Sequence, residues 1–599
     1  MTESKVPFKK TFFPSAAMHL ERRADGSLLV TPKLPLENYI SNIPAELVRR
    51  AVLHPDKTYL AERPSPEAPW RKHSYADTRR DSEAIAQWLL TQKFPVGRSL
   101  LILSGNSIAH ATIKYGAMAA RIPACPVSTN YGLMGGDFGR LRHVIQLIRP
   151  AVVFAEQAIL YKRALETLNL GDALVITDEP HILDRPAVAF SEVLATQVTS
   201  AVSNSIATLS PDEHSLYMLT SGSTSLPKAV IQTQRMLCSN IAQARQVLGD
   251  TAGWSDVMLD WLPWSHVSGA FTKMGTLVSG GTLYIDGGRP IPGKFSESLR
   301  NLKEITPKFY VNVPFGYAMF ADALDLDLEL RQRFFSNIRL CLYGGAGLPQ
   351  ALYERFQQLA IDTIGERVFF TTGYGATETA SGCMAIYFQT EVVGIGLPMP
   401  GLTMKLVPNA DRYEVRLKGP MITPGYLAKP EANLEIFDEE GFYRTGDAAQ
   451  LHDANDIGQG LKFAGRLAEE FKLSTGTWVS AGRLRAELLE AFTPFISDFV
   501  ICGENADQVA LLAWPKNSSV TPPERAELGK ILGRFNIGRG ASERIKCLLL
   551  LNDPPSVDHH EVSDKGSINQ RVALVRRTAQ VARLYSSVLD YEIITPTSD

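Results

Sequence analysis

The stretch HSLYMLTSGSTSLPKAVIQTQ, residues 214–234, sets a hydroxyl-rich loop that ends in a lysine between two apolar segments. Residues 214–220 and 228–234 are rich in strand-forming residues, so the pattern predicts strand, loop, strand. The common phosphate-binding loop needs G-x-x-x-x-G-K-[ST] between a strand and a helix, and this stretch has neither feature. For the stretch alone, two interpretations stay open: a phosphate-binding loop of another kind, and a Ser/Thr turn between strands.

The loop nevertheless carries groups that suit an anion. Hydroxyls and backbone amides near a glycine can converge on phosphate oxygens, and a lysine adds a point charge. The candidate phosphate-binding residues are Thr220, Ser221, Gly222, Ser223, Thr224 and Lys228.

Short apolar segments alternate with helical patterns upstream of this loop. Residues 100–106, 150–156 and 173–178 are predicted as buried strands, and the alternation is typical of α/β layers with mainly parallel strands. From about residue 400, polar and apolar residues alternate, which predicts a small antiparallel, β-barrel-like unit. We place a domain boundary at about 465, between an N-terminal domain of layered α/β subdomains (1–464) and a small α+β C-terminal domain (465–599).

Size and composition exclude several classes of protein. The 599 residues are too many for one core, and 45% hydrophobic with 21% charged residues is typical of globular proteins. A formal net charge of -2 gives no field that would attract nucleic acid. No segment reaches the roughly 18 to 20 apolar residues of a membrane span, and no signal-peptide core is present. The six separated cysteines favour reduced thiols in a cytoplasmic protein.

Four further strings carry chemistry that suits a nucleotide. GGAGLP (344–349) follows a predicted strand, where ligands of open α/β sheets bind. TTGYGATET (371–379) offers an aromatic face, a hydroxyl and a carboxylate suited to magnesium. GFYRTGDAA (441–449) offers a carboxylate for ribose hydroxyls, and SDKGSINQR (563–571) a lysine beside a glycine. Taken alone, GGAGLP is better explained as an ordinary turn and the lysine of SDKGSINQR as a solvated surface residue. TTGYGATET is less generic, although it could be a polar loop, and GFYRTGDAA could be a β-turn.

Taken together and in this order, the strings resemble the motifs of the adenylate-forming superfamily, which includes acyl-CoA synthetases, peptide-synthetase adenylation domains and firefly luciferase. The resemblance extends over roughly residues 45 to 575. The stretches DWLPWSH, GGTLYIDGG, FKLSTGTWV and DKGSINQR are more particularly similar to bacterial feruloyl-CoA synthetases. The resemblance implies an ATP-dependent acid–CoA ligase. A carboxylate would attack the α-phosphate of ATP to give acyl-AMP and pyrophosphate, and the thiol of CoA would then displace AMP.

The resemblance also implies roles for individual residues. The catalytic residues that it implies are Lys565, Thr377, Glu378 and His266. Those that it implies for ATP or CoA, besides the 220–228 loop, are Gly344, Gly345, Ala346, Tyr374, Gly375, Asp447, Arg466, Ser474, Thr475 and Gly476. Glu378 would hold magnesium, and Thr377 would contact the α-phosphate. The glycine turn with Tyr374 would frame adenine, and Asp447 with Arg466 would hold the ribose.

The last part of the family mechanism is a rotation of the C-terminal domain. Lys565 would reach the substrate carboxylate and the α-phosphate in the first step and leave before the second. Residues 474–476 would then line the pantetheine tunnel. Arg544 and Lys546 are charged candidates for the CoA nucleotide.

The chain departs from the family pattern at three places. Ser225 and Ala229 stand where glycines are usual, so a left-handed backbone there would cost more. Ala468 stands at the hinge position, where Asp or Lys is usual. After His266, which would gate the acid pocket, the sequence reads VSGAFTKMG instead of a glycine- and asparagine-rich segment. We expect Val267, Ser268, Gly269 and residues 310–316 to line that pocket.

Several alternatives remain at this stage. The acid could be of the ferulate or hydroxycinnamate type, another aromatic acid, or a medium- or long-chain acid. The chain could instead load a carrier protein, transfer phosphate to give ADP, or be a non-catalytic relative. The absence of a Walker-type loop or kinase motifs argues against phosphate transfer. The oligomeric state stays open, with a homodimer among the alternatives.

Overall fold

The computed structural model describes residues 6–133, 137–220, 226–291, 293–492, 495–516, 520–556, 561, 568–586, 588 and 590–597. Its strands are β1 (Met18–Arg22), β2 (Leu28–Pro32), β3 (Thr58–Glu62), β4 (Arg71–Ser74), β5 (Ser99–Leu103), β6 (Ala124–Pro126), β7 (Pro150–Ala155), β8 (Leu174–Thr177), β9 (Ala187–Ala189), β10 (His214–Thr220), β11 (Lys228–Thr233), β12 (Val257–Asp260), β13 (Thr282–Ile285), β14 (Phe309–Asn312), β15 (Leu340–Tyr343), β16 (Phe369–Thr372), β17 (Tyr374–Gly375), β18 (Gly382–Ala385), β19 (Leu397–Pro398), β20 (Thr403–Asn409), β21 (Arg412–Lys418), β22 (Tyr443–Leu451), β23 (Leu461–Arg466), β24 (Phe471–Lys472), β25 (Trp478–Val479), β26 (Ile496–Cys502), β27 (Val509–Pro515), β28 (Ile545–Leu550) and β29 (Ile593–Ile594).

Its helices are α1 (Ile43–Leu53), α2 (Tyr75–Thr91), α3 (Ile108–Ala119), α4 (Asn130–Leu133), α5 (Gly139–Ile148), α6 (Ala158–Thr167), α7 (Phe190–Leu194), α8 (Ser200–Ala207), α9 (Gln234–Ala244), α10 (Asp250–Ala252), α11 (Val267–Ser279), α12 (Phe295–Glu304), α13 (Pro314–Leu326), α14 (Leu328–Asn337), α15 (Gln350–Ile364), α16 (Pro430–Glu435), α17 (Ala481–Phe492), α18 (Pro522–Asn536), α19 (Gln570–Arg576) and α20 (Thr578–Leu584). A π-helical turn, Arg245–Gly249, connects α9 to α10.

The largest sheet has seven strands in the order β11-β10-β6-β5-β7-β8-β9. Strands β5 and β7 are buried along their whole length, as expected for strands covered on both faces. Helix α3 packs into the core on one face, and α5 and α6 pack into the core on the other. The sheet is parallel from β10 to β9, and only β11 pairs antiparallel, with β10. These strands confirm the predicted α/β layers.

Two smaller sheets complete the α/β part of the molecule. One has the order β12-β13-β3-β4, and the other, β14-β15-β16, is wholly parallel. The second sheet shares a phenylalanine- and tyrosine-rich core with α13, α14 and α15. The carboxyl ends of β12, β14 and β15 lead into segments that line one cavity.

A six-stranded antiparallel sheet, in the order β1-β2-β20-β21-β22-β23, corresponds to the antiparallel unit predicted after residue 400. The predicted last strand, residues 461–466, matches β23. No local pattern predicted that β1 and β2 join this sheet, where β2 pairs with β20 across more than 370 residues of chain. Such pairing depends on long-range packing rather than on a local pattern.

Beyond β23, the chain has hydrophobic clusters of its own. The order β26-β27-β28-β29 defines a mixed sheet, and the two buried clusters around it draw all their residues from between Leu473 and Ile594. This arrangement is what a small α+β unit requires. In the described part of the chain, no helix combines the length and apolarity that a bilayer crossing needs.

Candidate active site

The hydroxyl-rich loop closes a β-hairpin. Thr220 at the end of β10 and Lys228 at the start of β11 are register partners in an antiparallel pair. Ala229 is fully buried within β11, opposite Leu219, and its backbone is not left-handed. The concern that this alanine strains the backbone therefore does not apply. Residues 221–225, with the predicted phosphate-binding hydroxyls and Ser225, lie outside the described residues.

Lys228 and Glu378 both contact Tyr426. The Lys228 ammonium lies 4.8 Å from the centroid of the Tyr426 ring, and the Tyr426 hydroxyl donates to Glu378 Oε1 at 2.7 Å. Burial, followed by the negative charge of Glu378, raises the pKa of Tyr426, so the phenol stays protonated as a donor. Glu378 itself is only 7% exposed. Sequence reasoning missed Tyr426, because a tyrosine after Pro-Gly gives no local sign of a distant carboxylate.

A second contact fixes the Thr377–Glu378 segment to the same hairpin. Gln232 of β11 donates its side-chain amide to the carbonyl oxygens of Thr377, at 2.9 Å, and of Ala380, at 3.2 Å. Ala380 has φ +63°. The residues on either side of it form a hydrogen bond, in which the Ser381 amide donates to the carbonyl of Thr379 at 2.8 Å. This tight turn is a strained conformation for alanine. The hairpin and the motif 377–379 are therefore one connected unit.

Tyr374, Asp447 and Arg466 form a second chain of polar contacts. The Tyr374 hydroxyl donates to Asp447 Oδ2 at 2.9 Å, and Arg466 Nε lies 3.4 Å from Asp447 Oδ1. Asp447 and Arg466 are cross-strand partners on β22 and β23. Burial raises the pKa of Asp447, and the charge of Arg466 and the Tyr374 hydrogen bond partly offset that effect. The structure thus brings together three residues that the sequence assigned to adenine and ribose.

The glycine turn after β15 lies beside them. Gly345 has φ +80°, which favours glycine, and Gly344 and Gly345 both contribute to the cavity wall. A Cβ on Gly375 would lie 2.1 Å from the carbonyl oxygen of Ser381. Gly375 therefore allows β17 and β18 to approach closely. Ala346 is exposed next to this turn.

A cavity of about 1010 Å³, including its open mouth, extends from this glycine turn into the protein. Of the predicted wall residues, five line it: His266, Ser268, Val311, Asn312 and Val313. Tyr310 and residues 314–316, which the same prediction included, are not among its lining residues. Large apolar side chains that sequence reasoning missed complete the wall, among them Trp254, Met258, Trp261, Phe271 and Phe309. They come from separate elements, so no single stretch of sequence signals them.

The prediction that Gly269 lines the pocket is wrong. A Cβ on Gly269 would lie 2.2 Å from the carbonyl oxygen of Leu262, so this glycine seats α11 against the preceding loop. Val267 is likewise not part of the cavity wall. On α11 the wall residues follow helical spacing, at positions 268, 271, 272, 275 and 276, and Val267 lies off that face.

Residues 474–476, which were assigned to the C-terminal domain, are not part of this cavity. Residues 474–476 form an exposed turn between β24 and β25, where the Ser474 amide donates to the carbonyl of Ala506 at 2.8 Å. None of the three lines the cavity. Lys565 lies outside the described residues. The structure therefore brings Tyr374, Asp447 and Arg466 into contact with one another. The roles of these residues, of Lys565 and of the 474–476 turn stay predictions.

Arg412 connects the two sides of the predicted hinge. Its guanidinium donates to the carbonyl of Ala464 and to the Ser480 hydroxyl, each at 2.9 Å, and forms an ion pair with Glu470. Ala468, in a short 3₁₀ turn between these partners, has no polar side chain to contribute. Arg412 thus contacts three residues of the segment 464–480, here called the linker.

Comparison with known proteins agrees with this fold. A family model described as AMP-binding enzyme matches residues 47–427, which is more than half of the 599 residues. The chain therefore belongs to the AMP-binding enzyme family.

Two curated relatives match less than half of this chain. An inactive atromentin synthetase, invA4, of Paxillus involutus is 31% identical over 266 residues, which cover 39% of this chain and 27% of the relative. A long-chain-fatty-acid–CoA ligase of Thermus thermophilus is 27% identical over 291 residues, which cover 45% of this chain and 50% of the relative. The matches thus span only about a quarter to a half of the length of these relatives.

Among solved structures, the chain is similar to the anthranilate CoA ligase AuaEII in complex with anthranoyl-AMP. The TM-score is 0.70 at 19% identity, and the match covers 92% of this chain and 99% of that chain. At this identity the likeness shows the fold, which is the mixed α/β fold of adenylate-forming enzymes.

Proposed function

We propose that this protein is an AMP-forming acid–CoA ligase, whose acid is aromatic and of the ferulate or hydroxycinnamate type. The observation that carries the proposal is the position of the apolar cavity. Gly344, Gly345 and Gly373 line it, and Tyr374, the residue after Gly373, begins the chain of contacts to Asp447 and Arg466. An acid in the cavity would present its carboxylate where the α-phosphate of ATP is expected.

The nucleotide would lie along these residues. We assign adenine to the turn 344–346 with Tyr374, the ribose to Asp447 and Arg466, and the α-phosphate to Thr377. The β- and γ-phosphates would lie at the hairpin loop between Thr220 and Lys228. The contact of Gln232 with the carbonyl of Thr377 supports this order, because it ties the two phosphate segments together.

Magnesium fits the donor set around Glu378. Among the described residues, no cluster of three or more His, Cys, Asp or Glu side chains could hold a metal alone. Mg²⁺ is commonly held by one or two carboxylates together with substrate phosphates and water. Glu378 would supply that carboxylate, oriented by the Tyr426 hydroxyl. When bound, the ion neutralises phosphate charge during transfer.

The two steps balance without any further reactant. In the first, a carboxylate oxygen bonds to the α-phosphorus while the bond from that phosphorus to the α,β-bridging oxygen breaks, which releases pyrophosphate. In the second, the CoA sulfur bonds to the acyl carbon, its proton is lost, and AMP leaves. Because anion meets polyanion in the first step, catalysis depends on positioning and on preplaced positive charge. We assign that charge to Lys228 and to Lys565, the latter on the resemblance alone.

The division of labour between domains is part of the proposal. We propose residues 1–464 as the adenylation domain and residues 465–599 as a mobile domain that carries Lys565 and the 474–476 turn. The separate hydrophobic clusters after Leu473 support this division. Closure of such a domain protects a reactive acyl-adenylate from water. The free, buried cysteines agree with a cytoplasmic location.

The character of the cavity supports an acid with an apolar, aromatic body. Trp254, Trp261, Phe271 and Phe309 line it, and the lining residues within the described chain include no Asp, Glu, Lys or Arg. A second charge on the substrate would be buried without a partner, at a cost of several kcal/mol. We therefore expect acids with one carboxylate and no amino group.

A pyrophosphate-release screen tests this function. Cinnamic, benzoic, phenylacetic and fatty acids would be offered with ATP and Mg²⁺, with and without CoA, and the nucleotide product identified. We expect AMP, not ADP, and a CoA thioester, with the highest kcat/KM for a hydroxycinnamic acid. Preference for a dicarboxylic or amino acid would contradict the substrate assignment. Acyl-AMP that never reacts with CoA would favour transfer to a carrier protein instead.

A further inference from the structure

One loop contributes four residues to the wall of the cavity. Residues 261–266, here called the gate loop, connect β12 to α11 and place Trp261, Leu262, Pro263 and His266 in that wall. The gate loop belongs to no strand or helix. Its backbone amides and carbonyls therefore need partners from elsewhere.

Asn106, in the segment between β5 and α3, binds the gate loop on both sides of Pro263. Its side-chain amide donates to the carbonyl of Leu262 at 2.9 Å, and its Oδ1 accepts the amide of Trp264 at 2.9 Å. Asp260 adds a local contact, because its Oδ1 accepts the Leu262 amide at 3.1 Å. One asparagine thus replaces the two ladder hydrogen bonds that a neighbouring strand would supply.

Lys114 of α3 binds the next group along the loop. Its ammonium donates to the carbonyl of Trp264 at 3.3 Å, and the side chain is fully buried. Beside it, the equally buried Lys273 of α11 lies over the Trp264 ring, with its amine 4.4 Å from the ring centroid. Within the described chain neither lysine forms a salt bridge with a carboxylate. Two buried amines are costly without such a partner, and their shared contact is the gate loop.

Burial is the main cause that lowers the pKa of Lys114, to about 7. The amine keeps N–H donors in either protonation state, so the contact with Trp264 does not depend on the charge. On the opposite side, Gly269 brings α11 directly against the carbonyls of Leu262 and Pro263. The gate loop is therefore held from α3 and from α11 at once.

We infer that Asn106 and Lys114 are positioning residues that fix the gate loop and, through it, the His266 side chain against the acid. The inference rests on the proposed function. Neither residue lines the cavity itself, so each acts through the loop rather than on the substrate. Loss of either contact should misplace His266 and leave the ATP contacts around Asp447 intact.

A double-mutant cycle with His266 tests the inference. We expect Asn106→Ala to lower kcat/KM for the acid, measured as pyrophosphate release, by about 10- to 100-fold, because two hydrogen bonds to the gate loop are lost. The KM for ATP should stay within about twofold. In a His266→Ala background the same change should cost less than about threefold, because the group that Asn106 positions is already absent.

Three further variants sharpen the test. Asn106→Asp keeps the acceptor for the Trp264 amide but loses the donor to Leu262, so its effect should be intermediate. Lys114→Met keeps the length of the side chain and should be likewise non-additive with His266→Ala. Ser128→Ala is the matched control: Ser128 lines the same small polar pocket as Asn106, but its hydroxyl accepts the Asn130 amide. Its kcat/KM should equal that of the wild type.

Each outcome decides the inference. Additive losses in the wild-type and His266→Ala backgrounds, or a parallel rise in the KM for ATP, would overturn it. Thermal melting would identify variants that fail to fold. If Asn106→Ala fails to fold, the conservative Asn106→Asp replaces it in the double-mutant cycle. If the wild type releases no pyrophosphate with any acid, the proposed function itself fails. An active wild type with additive variants refutes only the positioning role.

Discussion

At the scale of single residues, Asp447 is the carboxylate whose ionisation should control ATP binding. Burial raises its pKa, and the partial offset by Arg466 and Tyr374 does not cancel that effect. Ribose hydroxyls donate to an ionised carboxylate, so protonation of Asp447 weakens binding. As the pH falls through this raised pKa, the KM for ATP should rise, and it should do so at a higher pH than for an ordinary aspartate. The measurement is the KM for ATP in pyrophosphate release, over about pH 5 to 9.

Two variants serve as controls for this pH dependence. Tyr374→Phe removes a hydrogen bond that lowers the pKa of Asp447, so the rise in KM should move to still higher pH. Asp447→Asn has nothing to ionise, so its KM should be raised about tenfold or more and be nearly constant with pH. A wild-type KM that does not change toward acid pH would argue against Asp447 as the ribose ligand.

At the scale of elements, local patterns predicted the strands but not the contacts between them. The strand patterns on each side of the hydroxyl-rich loop correspond to β10 and β11, because their β-branched and apolar residues are visible in sequence. The contacts that complete the site could not be predicted, because they join residues that are far apart in the sequence. Tyr426 and Gln232 are separated from their partners by 48 and by 145 residues, and no periodicity encodes such distances.

The hairpin of β20 and β21 yields a prediction about the linker. Arg412, in β21, and Glu470 have side chains only 11% and 14% exposed, so Arg412→Ala leaves a largely buried carboxylate unpaired and frees the contacts to Ala464 and Ser480. We expect the linker to open more often, and limited trypsin digestion between residues 464 and 480 to become about tenfold faster. Arg466 and Lys472 are the exposed cleavage sites in this segment.

A neighbour on the same strand supplies the control for the linker. Arg416 binds Glu414 and Asp438 rather than the linker, so Arg416→Ala should leave the cleavage rate between residues 464 and 480 near that of the wild type. Equal acceleration by both variants would mean that β21 as a whole has loosened. In that case the contacts of Arg412 would not specifically stabilise the linker.

At the scale of the whole molecule, the proposed mechanism divides the site between two parts of the chain. The cavity, the glycine turn and the Asp447 cluster are all assembled before residue 467. The clusters after Leu473 form separate cores, which is the condition for one part to move against the other without unfolding. If the part of the chain after Leu473 moves in this way between the two steps, one of its residues can be needed for one half-reaction and not for the other.

Lys565→Ala tests that separation. We expect acyl-AMP formation, measured by pyrophosphate release, to fall by about 10²- to 10³-fold, because one preorganised charge facing the α-phosphate is lost. Thioester formation from supplied acyl-AMP and CoA should keep its wild-type rate, since Lys565 would have left the site by then. Lys516→Ala is the control in the same part of the chain, because Lys516 is an exposed lysine directly after β27. Normal pyrophosphate release by Lys565→Ala, or equal loss of both half-reactions, would contradict a domain that alternates between them.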